Sequence, residues 1–203
     1  MTDCSVILLA AGNSSRLGQR KQLVHLQGQS LVRRQTKLAL SFSPHVTLVV
    51  GCESDTIKEH IADLPVTIVK NNDWQQGMGS SIATGVAHIK DKGFNAVMLL
   101  LVDLWRLELA DLQGLYQAYQ HSQRTITNST WKQGGHDVCG PPVVFSSKYF
   151  DELTRLNGEQ GAKPILTNYK NKLTHYVMGN ARYDLDTPEQ LAEMVQYSNQ
   201  TGL

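Results

Sequence analysis

The segment from Leu8 to Lys21 combines the residue types that bind phosphate groups. It reads LLAAGNSSRLGQRK and follows a short apolar run that predicts a strand. Gly12 and Gly18 permit tight turns that bring backbone N–H groups towards phosphate oxygens. Arg16 and Lys21 add cationic donors, of which Arg can hold two oxygens at once while Lys is a mobile point charge. We therefore interpret this segment as a loop that binds a phosphorylated ligand, rather than as an ordinary connection with solvated charges.

The spacing within this loop excludes two familiar motifs. A Walker A loop has the pattern G-x-x-x-x-G-K-[ST], whereas Gly12 and Gly18 stand six residues apart and Lys21 follows three residues after Gly18. The dinucleotide fingerprint G-x-G-x-x-G is also absent from the loop. We therefore find no reason in the loop to propose an oxidoreductase.

Carboxylates that could bind a divalent cation occur at two distant points in the chain. Asp103 follows the continuous apolar run Ala96–Val102, which is typical of a strand buried on both faces. Asp186 lies just before the predicted last helix, Pro188–Tyr197. Mg²⁺ keeps several waters and needs few protein ligands, so two such carboxylates could suffice. Asp184 would share a strand face with Asp186, and which of them is the ligand stays open. Asp103 could instead cap a helix.

Composition and charge exclude several classes of protein. The net charge is +1 over 203 residues, which gives no global field for nucleic acid or for an anionic membrane. No apolar run approaches the roughly 18 residues that a membrane span needs, and no signal peptide is recognisable at the start. The three cysteines, Cys4, Cys52 and Cys139, form no C-x-x-C pair. We expect reduced thiols in a cytoplasmic protein.

Strand-like and helix-like segments alternate as far as Gln120, which predicts βαβ units and a parallel sheet. The strand candidates are Ser5–Leu9, Val46–Val50, Val66–Val69 and Ala96–Val102, and the helix candidates are Ser30–Ser41, Asp55–Ala62, Gly79–Lys90 and Leu109–Tyr119.

Beyond Gln120 the alternation breaks down. The predicted elements there are a polar strand at Arg124–Ser129, a loop at Trp131–Asp137, short strands at Val143–Phe145 and Leu173–Val177, helical stretches near Lys148–Arg155 and Gln160–Tyr169, and a last helix, Pro188–Tyr197, capped by Thr187. We expect one domain, 1–203, with a nucleotide-binding part at about 1–105 and an acceptor-binding part at about 106–203.

The loop at Leu8–Lys21 resembles the signature of nucleotidyltransferases that activate small phosphorylated molecules with a nucleoside triphosphate. More narrowly, it resembles the molybdenum cofactor cytidylyltransferase family. Related guanylyltransferases usually carry Ala-Gly-Gly where this chain has Ala10-Ala11-Gly12. The resemblance therefore favours CTP over GTP, and it implies a Rossmann-like three-layer α/β/α fold with a mostly parallel sheet.

Four later segments are similar to motifs of the same family, in the same order. Two of them are Gly77-Met78-Gly79-Ser80-Ser81-Ile82, which resembles a segment that the family places near the base, and Asp184-Leu185-Asp186-Thr187-Pro188-Glu189, which resembles the family's closing motif. The segment Gly140-Pro141-Pro142-Val143 resembles the strand that borders the acceptor pocket. The turn from Gly158 to Lys163 has Lys where Arg is usual, which loses the bidentate fork. The segments that begin at Gly77, Gly140 and Gly158 could also be purely structural. The family's Asp-Gln-Pro motif is here Asp103-Leu104-Trp105, which keeps only the carboxylate.

The resemblance implies a set of site residues and a reaction. Arg16, Lys21 and Asp103 would be catalytic, and Asp103 and Asp186 would hold Mg²⁺. The nucleotide would contact Leu9, Ala10, Ala11, Gly12, Ser14, Ser15, Arg16, Lys21, Gly79, Ser80 and Ser81, and the acceptor would contact Pro141, Pro142 and Lys163.

The implied reaction transfers CMP from CTP to the phosphate of molybdopterin and releases pyrophosphate. A molybdoenzyme or its chaperone would be a transient partner, and neither nucleic acid nor a membrane is expected as one. Two alternatives stay open. One is a transferase of the same fold that uses GTP or another phosphorylated metabolite. The other is a non-catalytic nucleotide- or cofactor-binding protein, which the altered Asp103-Leu104-Trp105 motif favours.

Overall fold

A seven-stranded sheet forms the centre of the protein in the computed structural model, which describes residues 3–122 and 125–201. The strands are β1 (Cys4–Ala10), β2 (His25–Leu26), β3 (Gln29–Ser30), β4 (Val46–Val50), β5 (Thr67–Lys70), β6 (Ala96–Leu101), β7 (Ile126–Gln133), β8 (His136–Ser146) and β9 (Leu173–Val177). The order in the large sheet is β5-β4-β1-β6-β8-β7-β9, and β2 pairs with β3 in a separate hairpin.

The large sheet is mostly parallel, as predicted. β1 is parallel to β4 and β6, and β4 is parallel to β5. β8 is antiparallel to both of its neighbours, β6 and β7, whereas β7 is parallel to β9. The carboxyl ends of the other strands therefore meet at one edge of the sheet, where α/β proteins bind ligands.

Helices cover both faces of the sheet and complete the three layers. They are α1 (Leu31–Phe42), α2 (Ser54–Glu59), α3 (Met78–Ile89), α4 (Leu109–His121), α5 (Phe150–Leu153), α6 (Lys163–Asn168) and α7 (Pro188–Thr201).

Alternation along β1 shows how the sequence builds the two faces. Val6 and Leu8 belong to the apolar cluster that contains side chains of α1, α2 and α4, whereas Ile7 and Leu9 belong to the cluster formed with α3, α5 and α6. Successive side chains of a strand point to opposite faces, so a continuous apolar run is what a strand covered on both sides requires.

The predicted elements up to Gln120 are confirmed within a few residues at each end. Three expectations were wrong or incomplete after that point. The predicted loop at Trp131–Asp137 is mostly strand, because β7 and β8 continue to a tight turn at Gly134 and Gly135. The short strand predicted at Val143–Phe145 is the end of the 11-residue β8. The helices predicted near Lys148–Arg155 and Gln160–Tyr169 shrink to α5 and α6.

The remaining predictions beyond Gln120 have mixed outcomes. Leu173–Val177 is confirmed as a strand, and the last helix begins at Pro188 as predicted. Arg124 of the predicted polar strand lies outside the described residues. The β2–β3 hairpin was not foreseen. In the described part of the chain, no helix is long and apolar enough to span a membrane.

Candidate active site

A cleft of about 390 Å³ opens at the carboxyl ends of β1 and β6. The glycine-rich loop forms one side through Ala11, Gly12 and Asn13, and Asp103 follows β6 at the base. The opposite side comes from the segment before α3 and from the turn that precedes α6. The lining residues on these sides are Trp74, Gln75, Gly77, Met78, Ser81 and Glu159.

The buried side chain of Gln22 holds the glycine-rich loop in shape. Its Nε2 donates to the carbonyl oxygens of Ala10 at 3.0 Å and of Gly12 at 2.6 Å. Its Oε1 accepts a hydrogen bond from Ser14 Oγ at 3.3 Å, and Ser14 Oγ in turn accepts from the backbone N–H of Lys21 at 3.1 Å. Hydrogen bonds to Lys21 and Gln22 therefore hold the loop in this conformation without a ligand.

Arg20 braces the same loop from outside. Its guanidinium donates to the Asn13 carbonyl at 2.7 Å and to Glu53 Oε1 at 3.1 Å, which ties the loop to the start of α2. Gly18 has a φ of +73°, as expected for a tight turn that favours glycine.

Lys21 joins the two carboxylates that the sequence placed at distant points of the chain. Its ammonium donates to Asp103 Oδ2 at 2.5 Å and to Asp186 Oδ1 at 2.7 Å. The side chains of Lys21 and Asp103 are 16% and 9% exposed, against 37% for Asp186. Of the four charged residues that were predicted for catalysis and metal binding, Lys21 therefore contacts both Asp103 and Asp186, while Arg16 has no contact with this group among the hydrogen bonds and ion pairs of the described residues.

Electrostatics in this group favour a charged lysine. Burial disfavours the ammonium form of Lys21, but Asp103 and Asp186 outweigh it, so the pKa of Lys21 lies above its ordinary value. Burial, reinforced by the charges of Asp103 and Asp186, raises the pKa of Asp184. Ordinary lysines are already protonated at neutral pH, so the raised pKa leaves Lys21 as a fixed positive charge.

Gln190 on α7 organises the turn that carries Asp184 and Asp186. Its Nε2 donates to Asp184 Oδ1 at 2.6 Å, and its Oε1 accepts from the backbone N–H groups of Asp186 and Thr187 at 2.7 and 2.9 Å. Asp184 is thus occupied by α7, whereas Asp186 reaches Lys21. This difference favours Asp186 in the choice that the sequence left open.

The segment before α3 has a structural role in addition to lining the cleft. Asn71, directly after β5, donates from Nδ2 to Ser80 Oγ and Ser81 Oγ at 2.9 and 3.0 Å. Ser80 Oγ also contacts the carbonyl oxygens of Asp73 and Gly77, which leaves it within the protein, while Ser81 lines the cleft. A side-chain carbon at Gly79 would lie 2.4 Å from the Asn157 carbonyl oxygen, so glycine there permits close backbone packing.

A second, mainly apolar cleft of about 410 Å³ adjoins the first and shares Leu9, Met78 and Leu101 with it. Pro141 and Lys163, predicted to contact the acceptor, both line it. Pro142 does not line it, and its carbonyl oxygen accepts a hydrogen bond from the buried Ser129 Oγ of the neighbouring strand β7 at 2.8 Å. The remaining lining includes the apolar side chains of Ile82, Leu99, Val143, Leu166 and Leu173.

The structure separates the predicted nucleotide-binding residues into two groups. Leu9, Ala10, Ala11, Gly12, Lys21 and Ser81 line the first cleft, whereas Ser14, Ser15, Arg16, Gly79 and Ser80 do not. Arg16 and Ser15 are exposed beside it. Gly79 does not line the cleft because it packs against the backbone of Asn157, and Ser80 does not because its hydroxyl bonds within the protein. The prediction that these two residues contact the ligand is therefore corrected to a supporting role.

Several residues of the site were not found by sequence reasoning. Gln22 and Arg20 hold the loop, Asn71 orients the start of α3, and Trp74 and Glu159 line the first cleft. The charge of Arg20 next to Lys21 was a visible signal. Gln22, which is 1% exposed, gave no such signal in the sequence. It donates to backbone carbonyls of the glycine-rich loop, and the path of that loop cannot be predicted from the sequence.

Replacing Gln22 with Met is expected to loosen the loop without emptying its space. The variant loses both hydrogen bonds to the carbonyls of Ala10 and Gly12, at about 1 kcal/mol each, so the free energy of unfolding should fall by roughly 2 kcal/mol. Thermal or urea unfolding measures this, and calorimetry should show weaker nucleotide binding. An unchanged stability would contradict the role of Gln22.

Gly12→Val tests whether the open space beside the loop belongs to the ligand. No atom lies within 4 Å of a side-chain carbon built on Gly12, so the fold should tolerate valine while its branched side chain enters the cleft. We expect nucleotide binding to weaken by about tenfold or more, which corresponds to roughly 1.4 kcal/mol, with little change in thermal stability. Gly179→Val, at an equally open glycine outside both clefts, is the matched control. Equal nucleotide affinities in the two variants would contradict the placement of the nucleotide.

The chain is similar in sequence to three proteins whose named functions differ. The chain is 26% identical over 195 residues to the purine catabolism protein PucB of Bacillus subtilis, covering 91% of the chain and 92% of that protein. Over 99 residues it is 36% identical to the nicotine blue oxidoreductase of Paenarthrobacter nicotinovorans, covering 48% of each. Over 89 residues it is 33% identical to the molybdenum cofactor cytidylyltransferase of Escherichia coli, covering 43% of the chain and 45% of that enzyme.

Solved structures share the fold. The crystal structure of Rv0371C from Mycobacterium tuberculosis in complex with manganese matches with a TM-score of 0.75 and 19% identity, covering 96% of the chain and 99% of that protein.

Residues 6–173 match the family described as the MobA-like NTP transferase domain. Since the match spans most of the 203 residues, this chain belongs to the family of MobA-like NTP transferase domains.

Proposed function

We propose that this chain transfers CMP from CTP to the phosphate of a molybdopterin-type cofactor and releases pyrophosphate. The observation that carries the proposal is the contact of Lys21 with both Asp103 and Asp186 beside the glycine-rich loop. This group lies at the first cleft, where backbone groups of Ala11 and Gly12 can approach a triphosphate, and the first cleft adjoins a second one for an acceptor.

The reaction needs no protein base. An oxygen of the acceptor phosphate attacks the α-phosphorus of CTP, and the bond from that phosphorus to the oxygen bridging to the β-phosphate breaks as pyrophosphate leaves. A phosphate monoester is already largely dianionic near pH 7, so no side chain has to remove a proton. Catalysis therefore depends on in-line positioning and on neutralising the charge of the phosphates.

Lys21 and Arg16 are the proposed cationic groups. Lys21 exchanges its contacts with Asp103 and Asp186 for phosphate oxygens when the nucleotide enters, and it stabilises the leaving pyrophosphate. Arg16, exposed beside the cleft, folds over the phosphates from the solvent side. Its long side chain allows this without movement of the loop.

The carboxylates fit a divalent cation, Mg²⁺ in this proposal. Asp103 Oδ1 is buried and has no hydrogen-bond partner in the protein, which suits an oxygen that binds a cation. Asp103 and Asp186 would hold the ion, which when bound supplies charge neutralisation at the phosphate oxygens. The described residues form no cluster of three or more metal-ligating side chains, so the other ligands would be phosphate oxygens and water.

The choice of CTP and of a molybdopterin-type acceptor rests on family likeness. Ala11 lines the first cleft in the position where related guanylyltransferases carry glycine. The match to the Escherichia coli molybdenum cofactor cytidylyltransferase supports the same assignment, although it covers less than half of either chain. In this proposal a molybdoenzyme or its chaperone receives the product.

In this proposal the predicted nucleotide-binding part, about 1–105, and the predicted acceptor-binding part, about 106–203, share the two clefts. The second cleft, proposed for the acceptor, is lined by Leu9, Leu99 and Leu101 of the predicted nucleotide-binding part. The first cleft, proposed for the nucleotide, is lined by Glu159 of the predicted acceptor-binding part. Each cleft therefore draws on both parts of the chain.

Pyrophosphate release tests the proposal directly. The purified protein is incubated with Mg²⁺, molybdopterin and each of CTP, GTP, ATP and UTP, and the dinucleotide product is identified by mass spectrometry. We expect release with CTP that depends on molybdopterin. Release with GTP in its place would overturn the nucleotide assignment, and release with CTP only when another phosphorylated acceptor is supplied would overturn the acceptor. Tight nucleotide binding without release would favour the non-catalytic alternative.

A further inference from the structure

Three separate parts of the site pack into one apolar cluster, which we name the Trp105 cluster. Leu17 comes from the glycine-rich loop, Trp105 follows Asp103 by two residues, and Leu185 stands between Asp184 and Asp186. Met194 of α7 and Leu26 and Leu31 complete the cluster. Trp105 and Leu185 are 1% and 0% exposed. The glycine-rich loop, the turn after Asp103 and the turn that carries Asp184 and Asp186 therefore pack against one another through the Trp105 cluster.

Aromatic rings and a guanidinium extend the cluster towards α7. The Trp105 ring meets the Tyr183 and Tyr197 rings edge to face, with centroids 5.7 and 5.4 Å apart. The Arg106 guanidinium carbon lies 4.3 Å from the centroid of Tyr183 and 4.4 Å from that of Tyr197. Such contacts have preferred geometries, so they restrict orientation more strongly than aliphatic packing does.

Each carboxylate belongs to a turn that also contains a residue of the Trp105 cluster, namely Trp105 for Asp103 and Leu185 for Asp186. Trp105 N donates to the Asp103 carbonyl at 2.8 Å, which closes the turn after β6. The far side of that turn is held by α1, where Gln35 Nε2 donates to the Leu104 carbonyl at 3.1 Å. Tyr183 and Leu185 flank Asp184 and lead directly into Asp186. A shift of Trp105 would therefore move both carboxylate-bearing turns relative to each other.

We propose that Trp105 is a positioning residue that sets the separation of Asp103 and Asp186, and thereby the affinity of the site for a nucleotide with its divalent cation. This inference rests on one part of the proposed function, the binding of a nucleotide with a divalent cation at Asp103 and Asp186, and not on turnover. It also accounts for the departure from the family's Asp-Gln-Pro pattern, because Leu104 and Trp105 are both buried away from the cleft and hold the turn from the core. In Asp103-Leu104-Trp105 the buried Leu104 and Trp105 then hold the Asp103 carboxylate in place, as other residues do in the family's Asp-Gln-Pro motif. The altered motif is therefore no evidence for a loss of catalysis.

The experiment measures how much Mn²⁺ strengthens the binding of CTP. CTP affinity is determined by calorimetry in EDTA and in excess Mn²⁺, and the ratio of the two values is the metal-dependent gain. Groups behind metal ligands typically contribute 10- to 100-fold to metal affinity, so Trp105→Leu should lose about tenfold or more of this gain. CTP affinity in EDTA should change little, and Trp105→Phe should keep most of the gain.

Tyr116→Leu is the matched control, since Tyr116 is a buried aromatic residue packed against Phe42 and Tyr119 and adjacent to Cys4, at the other edge of the sheet. It should lower the melting temperature about as much as Trp105→Leu while keeping the full gain. If Trp105→Leu does not fold, Arg106→Met at the half-buried guanidinium is measured in its place and should lose a few-fold of the gain. An unchanged gain in the variant measured, an equal loss in Tyr116→Leu, or no gain in the wild-type protein would overturn the proposal.

The result is independent of turnover. A metal-dependent gain that is lost in Trp105→Leu supports the positioning role even if no pyrophosphate is released. In that case the proposed function fails and the inference about Trp105 stands.

Discussion

Lys21→Ala is expected to reduce nucleotidyl transfer by about 10³-fold or more. Lys21 is the partly buried cation in contact with both Asp103 and Asp186, and its loss leaves the triphosphate facing two carboxylates without a compensating ammonium. Removing one well-placed donor from a site that stabilises developing charge costs about 10²–10³ in rate, and here a full charge is lost as well. Pyrophosphate release under saturating CTP and Mg²⁺ measures the effect.

Lys90→Ala provides the control for this variant. Lys90 forms an ion pair of similar length with Asp151, at 2.6 Å, but lies at the end of α3 outside both clefts. It should retain full activity. The Lys21 variant should also be less stable without a divalent cation than with one, because a cation can compensate the two carboxylates that have lost their ammonium partner. Full activity of Lys21→Ala would remove Lys21 from the mechanism.

Asp103→Asn is expected to lower the rate by about 10²–10³-fold, because it removes the buried carboxylate that is proposed to hold the cation. Asparagine keeps the shape of the side chain, and Lys21 keeps its contact with Asp186, so the variant should fold. Initial rates over a range of Mg²⁺ and Mn²⁺ concentrations separate weaker metal binding from a slower chemical step. Raising the metal concentration should recover only part of the activity.

Two further carboxylate variants sharpen this test. Asp186→Asn should reduce activity more than Asp184→Asn, because Asp186 reaches Lys21 while Asp184 accepts a hydrogen bond from Gln190 on α7. Asp151→Asn, which breaks an exposed ion pair far from the clefts, is the matched control and should be fully active. A larger loss in Asp184→Asn than in Asp186→Asn would reverse the assignment of the second ligand.

Much of the fold could be predicted because its information is local. The continuous apolar runs that became β4 and β6 are what a strand buried on both faces requires, and the spacing of apolar residues in α1 and α3 follows the helical repeat. The hairpin of β7 and β8 was misread as a loop because its outer half is polar and exposed. Exposed paired strands lack the apolar pattern on which the prediction relied.

The sequence by itself determined which groups could do chemistry: a glycine-rich loop with Lys21 after the first strand, Asp103 after an apolar strand, and Asp186 before the last helix. Only the tertiary structure decided that these three charges touch, that Gln22 holds the loop, and that Ser80 and Gly79 face the protein interior. The physical reason is the range of the interactions. Strand and helix patterns depend on neighbours a few residues away, whereas the contact of Lys21 with Asp186 joins residues 165 positions apart, which only the packing of the sheet, α7 and the Trp105 cluster brings together.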